Sequence, residues 1–275
     1  MTDEARVTPL PEPNDDRTRR RLEGKVAVVT GSDSGIGQGV AVEFAKEGAD
    51  VAITYLHDEA GAEATRQQVV ARGRRAFVAR LDHRDAAQVT RYFEQVQREL
   101  GEPFILVNNA AIGGAQKPIA DLTADEWDDV IRSDLYGPFY CAQAFIRVRR
   151  AAGGRGKLIN VTSVHEEIPS KGAGAYTSAK EAVRNLTLTL ALELAGDLIN
   201  VNNIAPGMIL TPRNQEAIDD AQKYAQQVQH IPLTRAGLPW EIGRLAVFLA
   251  SDDADCIHGT TLTIGGLEQQ QGQGA

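Results

Sequence analysis

Short, almost wholly apolar runs alternate along this chain with longer segments of helical periodicity. Lys25–Thr30, Asp50–Tyr55, Ala76–Leu81, Phe104–Asn108, Lys157–Thr162, Asn200–Ile204 and Thr260–Ile264 read as strands. Between them, a segment through Phe44 to Gly48, then Glu59–Arg72, Ala86–Leu100, Ala124–Arg150, Ala175–Ala195 and Trp240–Ala250 read as helices. Strands that stay apolar along their length are buried on both faces, and regular alternation with helices makes them parallel. The predicted fold class is therefore α/β: one domain, with a doubly wound parallel sheet covered by helices on both sides. No internal repeat at a solenoid period competes with this reading.

The two ends differ from the middle. Residues 1–22 are rich in Pro, Asp and Arg, and Pro9, Pro11 and Pro13 oppose helix, so a flexible leader is expected there. A Gln- and Gly-rich tail is expected over 267–275, which leaves 23–266 as the folded domain. With 275 residues, 43% of them hydrophobic and 24% charged, the chain can bury a core of ordinary size. No apolar run approaches the ~20 residues that span a bilayer, and the N-terminus has no apolar signal core. A cytoplasmic location with no membrane contact is expected. The net charge of −8 argues against a nucleic-acid partner, and the Arg17–Arg21 run reads as part of a solvated leader. Cys141 and Cys256 form no redox or metal motif, and no metal is expected.

The chemistry concentrates in two places. Ala175-Tyr176-Thr177-Ser178-Ala179-Lys180 sets a Tyr and a Lys on one helix face. Tyrosine ionises near pH ~10, and a nearby ammonium favours the phenolate, which suits general acid–base work at neutral pH. At the other place, the first strand runs into Thr30-Gly31-Ser32-Asp33-Ser34-Gly35-Ile36-Gly37, which opens a helix. Glycines let a backbone approach a pyrophosphate that the helix N-terminus then stabilises. The spacing is Gly-x3-Gly-x-Gly rather than the Gly-x-Gly-x-x-Gly of the usual dinucleotide fingerprint.

Taken with Asn108-Asn109-Ala110 after the fourth strand, Ser163 after the fifth, and Pro206-Gly207-Met208 with Thr211 later, these motifs resemble the short-chain dehydrogenase/reductase family over roughly residues 22–266. The resemblance implies a Rossmann-type domain that moves hydride between a nicotinamide and an alcohol or carbonyl. It implies that Gly31, Ser34, Gly35, Ile36 and Gly37 line the pyrophosphate, Tyr55 the adenosine ribose, and Asp82 the adenine amino group. Asn108 would hold the central strand beneath the cofactor, with Ala110 beside it. Pro206, Gly207, Ile209 and Thr211 would embrace the nicotinamide, and Lys180 would bond its ribose. Tyr176 is the implied proton donor or acceptor, Ser163 the partner of the substrate oxygen, and Lys180 the tuning cation.

Cofactor choice turns on the end of the second strand. An acid there binds the ribose diol and repels a 2′-phosphate, and Tyr55 replaces it. The sequence leans to NADP, with NAD also in play because Asp58 and Glu59 lie close and no Arg follows.

Two positions depart from the family pattern. Asp134 stands where the family has an asparagine before the fifth strand, and is expected to offset part of the Lys180 field on Tyr176. Ala111 stands where glycine often follows Asn-Asn-Ala. The run Ser163-Val164-His165-Glu166 resembles that of bacterial glucose 1-dehydrogenases, and suggests that His165 contacts a hydroxyl-rich sugar or polyol. The alternatives are a ketone, aldehyde or 3-oxoacyl thioester reductase, and a catalytically silent dinucleotide-binding regulator. A mobile lid is expected near 208–230. By the same resemblance, a homotetramer, with a dimer second, is expected through the helices Ala124–Arg150 and Ala175–Ala195 and the C-terminal segment Trp240–Gly266.

Overall fold

The computed structural model describes residues 20–215 and 219–266. The expected leader is outside this range except at its end, and the expected tail lies wholly outside it. Where the leader meets the domain, the boundary moves: Leu22 is fully buried, and Arg21 pairs with the buried Glu47 at 3.0 Å. These contacts tie 21–22 to the domain.

Seven strands form one parallel sheet in the order β3-β2-β1-β4-β5-β6-β7. They are β1 (Val26–Val29), β2 (Asp50–Tyr55), β3 (Ala76–Arg80), β4 (Ile105–Asn108), β5 (Gly156–Val161), β6 (Ile199–Pro206) and β7 (Thr261–Ile264). Successive residues of a strand feed opposite faces. Ala27, Val29, Ile105, Val107 and Ile159 join one core, and Val26, Val28, Leu106 and Leu158 join the other.

The first core is covered by α1 (Gly35–Lys46), α2 (Glu59–Val70) and α8 (Pro239–Ala250). A Cβ on Gly39 would strike the Pro239 carbonyl, and one on Gly243 would strike that of Gly39, so glycines set how closely α1 and α8 cross. The second core is covered by α3 (Ala86–Glu99), α5 (Gly137–Ala151) and α6 (Gly174–Leu194). Side chains start several helices: Asp58 caps α2, Asp85 caps α3, and Thr123 with Glu126 forms a capping box on α4 (Ala124–Ile131). The predicted helix Ala124–Arg150 is interrupted by a π-helical turn at Arg132–Tyr136, which separates α4 from α5. In the region expected to form a lid, α7 (Ala221–Val228) packs Tyr224 and Val228 with Ile231 and Ala236; residues 216–218 of that region lie outside the described residues.

A chain of polar side chains crosses the buried sheet. Asn108 Nδ2 donates to Asn160 Oδ1 (2.8 Å), and Asn160 Nδ2 to Thr187 Oγ1 (2.8 Å). Thr187 Oγ1 donates to Asn203 Oδ1 (2.6 Å), and Asn203 Nδ2 to Thr261 Oγ1 (3.1 Å). Strands β4 to β7 are thereby fixed in register from inside. Asn160→Ala removes the central link and leaves its partners buried, so a loss of about 2–4 kcal/mol in urea unfolding is expected. Unchanged stability would show that the chain carries no weight.

The sheet order reverses between β1 and β4, which lie side by side while their crossovers diverge. In such sheets a crevice opens beyond the strand ends at that point. The site lies there.

Candidate active site

A cleft of about 480 Å³ runs across the C-terminal ends of β1, β2, β4, β5 and β6. Its floor is the glycine turn. Gly31 and Gly35 take positive φ (60° and 53°), a conformation that favours glycine. A Cβ on Gly31 would lie 2.9 Å from Ala110, and one on Gly37 would collide with the Gly31 carbonyl. The turn therefore requires residues without side chains. Ser34 precedes α1 in extended conformation and makes no side-chain cap, so the first N–H groups of the helix are left for another acceptor.

Asn109, which carried no separate assignment in the sequence, holds this turn. Its Nδ2 donates to the carbonyls of Thr30 and Gly31, both at 2.9 Å, and its backbone N–H to Thr30 Oγ1 at 3.0 Å. Gly31 N–H in turn donates to Thr54 Oγ1 (2.9 Å). The only available signal was adjacency to Asn108, which bonds Asn160 and the Pro138 carbonyl instead. The two asparagines divide the work: one ties strands, the other ties the loop.

This arrangement fits a dinucleotide. A side-chain-free cradle meets open helix N–H groups, and Thr211 and Pro212 close over Gly35 from the opposite wall, 3.2 and 3.8 Å from where its Cβ would be. Toward one end lie Tyr55, Leu56, His57 and Asp58, with Asp33 beside them. Burial raises the Asp33 carboxyl above the ordinary range; a hydrogen bond to its own backbone opposes this and the Asp58 charge adds to it. Asp82 lines the same end and is held below the ordinary carboxylate range chiefly by hydrogen bonds from the Arg84 guanidinium, one at 2.8 Å.

At the other end Ser163, Tyr176, Lys180, Pro206, Gly207, Ile209 and Thr211 share the wall. Ser163 follows β5, and its Oγ accepts from His165 N–H at 3.2 Å. Tyr176 and Lys180 stand one turn apart on α6, with Nζ 5.3 Å from the centre of the tyrosine ring. Lys180 is buried; it donates to the Val161 carbonyl (3.4 Å) and pairs with Asp134 Oδ2 (3.5 Å).

Asp134 is fully buried within the π-helical turn. Its Oδ1 accepts from Ile112 N–H at 2.8 Å, while Oδ2 accepts no hydrogen bond among the described residues. Asp134, Gly37, Asn108 and His165 do not line the cleft themselves. The position of His165 is more specific. Its ring meets the Tyr176 ring edge-on at 6.4 Å, and Nδ1 lies 3.0 Å from the Ile168 carbonyl, which makes Nδ1 the donor. Glu166, one residue on, is buried beneath the same loop beside Arg184 (3.5 Å), and burial pushes its carboxyl above the ordinary range.

A family model described as enoyl-(acyl carrier protein) reductase matches residues 30–267. This chain is a member of the short-chain dehydrogenase/reductase family. It is 40% identical over 242 residues to the uncharacterized oxidoreductase YohF of Escherichia coli (strain K12), covering 88% of this chain and 94% of that one. It is 35% identical over 245 residues to the 2-dehydro-3-deoxy-D-gluconate 5-dehydrogenase of the same organism, covering 89% and 95%. Acetoin dehydrogenase from Enterobacter cloacae superposes with a TM-score of 0.83 at 37% identity, covering 92% and 98%. A candidate 2-deoxy-D-gluconate 3-dehydrogenase from Agrobacterium tumefaciens with bound NADP superposes at 0.82 and 33% identity, covering 91% and 98%. The protein is thus an NAD(P)-dependent oxidoreductase acting on secondary alcohols or carbonyls. Among the described residues no helix is long and apolar enough to cross a membrane.

Proposed function

We propose that the protein interconverts a hydroxylated secondary alcohol, of the sugar, polyol or acyloin kind, and its ketone. Carrying this reading is the meeting of Ser163, Tyr176 and Lys180 in the same cleft as the glycine cradle. The dinucleotide, when bound, supplies or accepts the hydride. Tyr176 gives a proton to the substrate oxygen in reduction and takes one from the hydroxyl in oxidation. Ser163 Oγ hydrogen-bonds the same oxygen and stabilises charge developing there. Lys180 lends the tyrosine its field and bonds the nicotinamide ribose, and His165 packs edge-on against the tyrosine ring. The relatives' names support small hydroxylated substrates over acyl thioesters.

For the cofactor, the proposal moves from the sequence's NADP lean toward NAD. Asp33 and Asp58 both stand beside Tyr55, and among the described residues the guanidinium lining that end of the cleft, Arg84, is already paired with Asp82 at 2.8 Å. Two carboxylates there disfavour a 2′-phosphate.

The test is one assay: purified protein with NAD or NADP against sugars, aldonates, acetoin and simple ketones, followed by nicotinamide absorbance. Turnover of a hydroxylated substrate is expected, with kcat/KM at least about tenfold higher for NAD. Activity confined to acyl thioesters would sink the substrate reading, and a preference for NADP would sink the cofactor reading.

We further propose a homotetramer, supported by exposed apolar side chains on α5 and α6: Phe139, Leu188 and Leu192, the last 85% exposed. Sedimentation equilibrium reads this directly, and a monomer would refute it. A reducing cytoplasm suits the unpaired Cys141 and Cys256.

A further inference from the structure

Among the described residues, three Lys or Arg side chains line the cleft: Arg84, Lys180 and Arg213. Two are neutralised. Arg84 pairs with Asp82 at 2.8 Å and Asp129 at 3.4 Å, and Lys180 pairs with Asp134 at 3.5 Å. Arg213 has no carboxylate partner among the described residues, and its one recorded interaction is with the catalytic tyrosine: Cζ lies 5.9 Å from the centre of the Tyr176 ring.

Its setting is built rather than incidental. Arg213 sits in the short turn Pro212–Asn214, which Asn214 anchors by donating Nδ2 to the Ile209 carbonyl at 2.7 Å. Across the cleft mouth, a Cβ on Gly113 would lie 3.4 Å from Arg213 Nη2, so the loop after β4 brings bare backbone up to the guanidinium. The free acids of the cleft, Asp33 and Asp58, stand at the far end beside Tyr55. Among the described residues, the reactive end therefore carries one uncompensated, always charged group.

We propose that Arg213 is the carboxylate reader of this site, and that the substrate is a hydroxy or oxo acid whose reacting carbon lies a few carbons from its carboxylate. This rests on the alcohol–ketone reading above and narrows it to sugar acids and their relatives. A guanidinium presents paired N–H donors that match a carboxylate bidentately, and charge-assisted bonds of this kind are roughly twice as strong as neutral ones. With the carboxylate held at Arg213, the distal hydroxyl-bearing carbon is delivered to Tyr176 and Ser163. A neutral polyol has nothing to offer that cation, and the site discriminates against it.

The experiment is calorimetric titration of the NAD-saturated protein with D-gluconate and with its neutral counterpart D-glucitol. The wild-type protein is expected to bind gluconate at least about tenfold more tightly than glucitol. Arg213→Gln is expected to abolish that preference, and Arg213→Lys to keep part of it. NAD affinity should be the same in all three proteins. Arg213 is exposed and buries no partner, so both variants fold as the parent does. The proposal is overturned if the wild-type protein does not distinguish gluconate from glucitol. It is equally overturned if Arg213→Gln weakens NAD binding while the preference persists, since the guanidinium would then belong to the pyrophosphate. Binding needs no turnover, so a failure of the alcohol–ketone assay and a failure of this titration are separate results.

Discussion

Tyr176→Phe is expected to lower kcat by at least about a thousandfold while leaving dinucleotide affinity within about twofold. The substitution removes one oxygen and keeps the ring. That ring holds the edge contact with His165 at 6.4 Å and faces Lys180 and Arg213 at 5.3 and 5.9 Å, so the wall of the cleft survives. What disappears is the proton donor or acceptor at the reacting oxygen, and with it one hydrogen bond to the charge that develops there. General acid–base participation contributes about 10²–10⁴-fold, and losing a bond to a developing oxyanion adds to that. Single-turnover absorbance with the best substrate of the panel measures the chemical step, and fluorescence titration measures cofactor binding. A variant within tenfold of the parent would remove Tyr176 from the chemistry.

The frame was legible because local patterns carried it. Most strands are short, largely apolar runs whose successive residues feed opposite cores, as Val26 and Ala27 do. Most helices announce themselves by periodicity and often by a cap such as Asp85 or Thr123, whereas the polar α7 in the lid region did not. The glycine turn and the Tyr176–Lys180 pair were also readable, since each lies within a few residues of chain. Features made by contact between distant segments were not. Asn109 looks interchangeable with Asn108 until the loop after β1 is seen against it. The approach of Asp134 to Lys180 was expected, but the π-helical turn at Arg132–Tyr136 that delivers it has ordinary helical composition and shows only in the fold. Arg213 reads as one more polar lid residue, because its significance is that other cations in the cleft already have partners. His165 is expected to touch substrate, and only the fold shows its Nδ1 anchored at the Ile168 carbonyl and its ring edge-on to Tyr176. Leu22 was grouped with the leader by composition, although it fills the first core.

Lys180→Met is expected to destabilise the protein by about 3–5 kcal/mol, and the second substitution Asp134→Asn to restore most of that loss without restoring activity. Asp134 is wholly buried; its Oδ1 is satisfied by Ile112 N–H, while Oδ2 accepts no hydrogen bond among the described residues and faces the ammonium 3.5 Å away. Taking the ammonium out strands an ionised carboxylate in the interior, and breaking a buried pair from one side typically costs about that much. The amide of Asn keeps an acceptor for Ile112 and carries no charge, so in the double variant nothing is left uncompensated. Unfolding of the four proteins in urea forms a closed cycle, and a strong positive coupling between the two positions is the expected result. Additive effects would mean that the pair is not energetically joined. Asp134→Asn alone then isolates the catalytic consequence. If the carboxylate offsets part of the Lys180 field on Tyr176, removing it strengthens that field and favours the phenolate. The active limb of the kcat/KM profile should then move to lower pH in the alcohol-oxidising direction. A limb that stays in place would leave Asp134 a structural counter-ion, held because a buried lysine needs one.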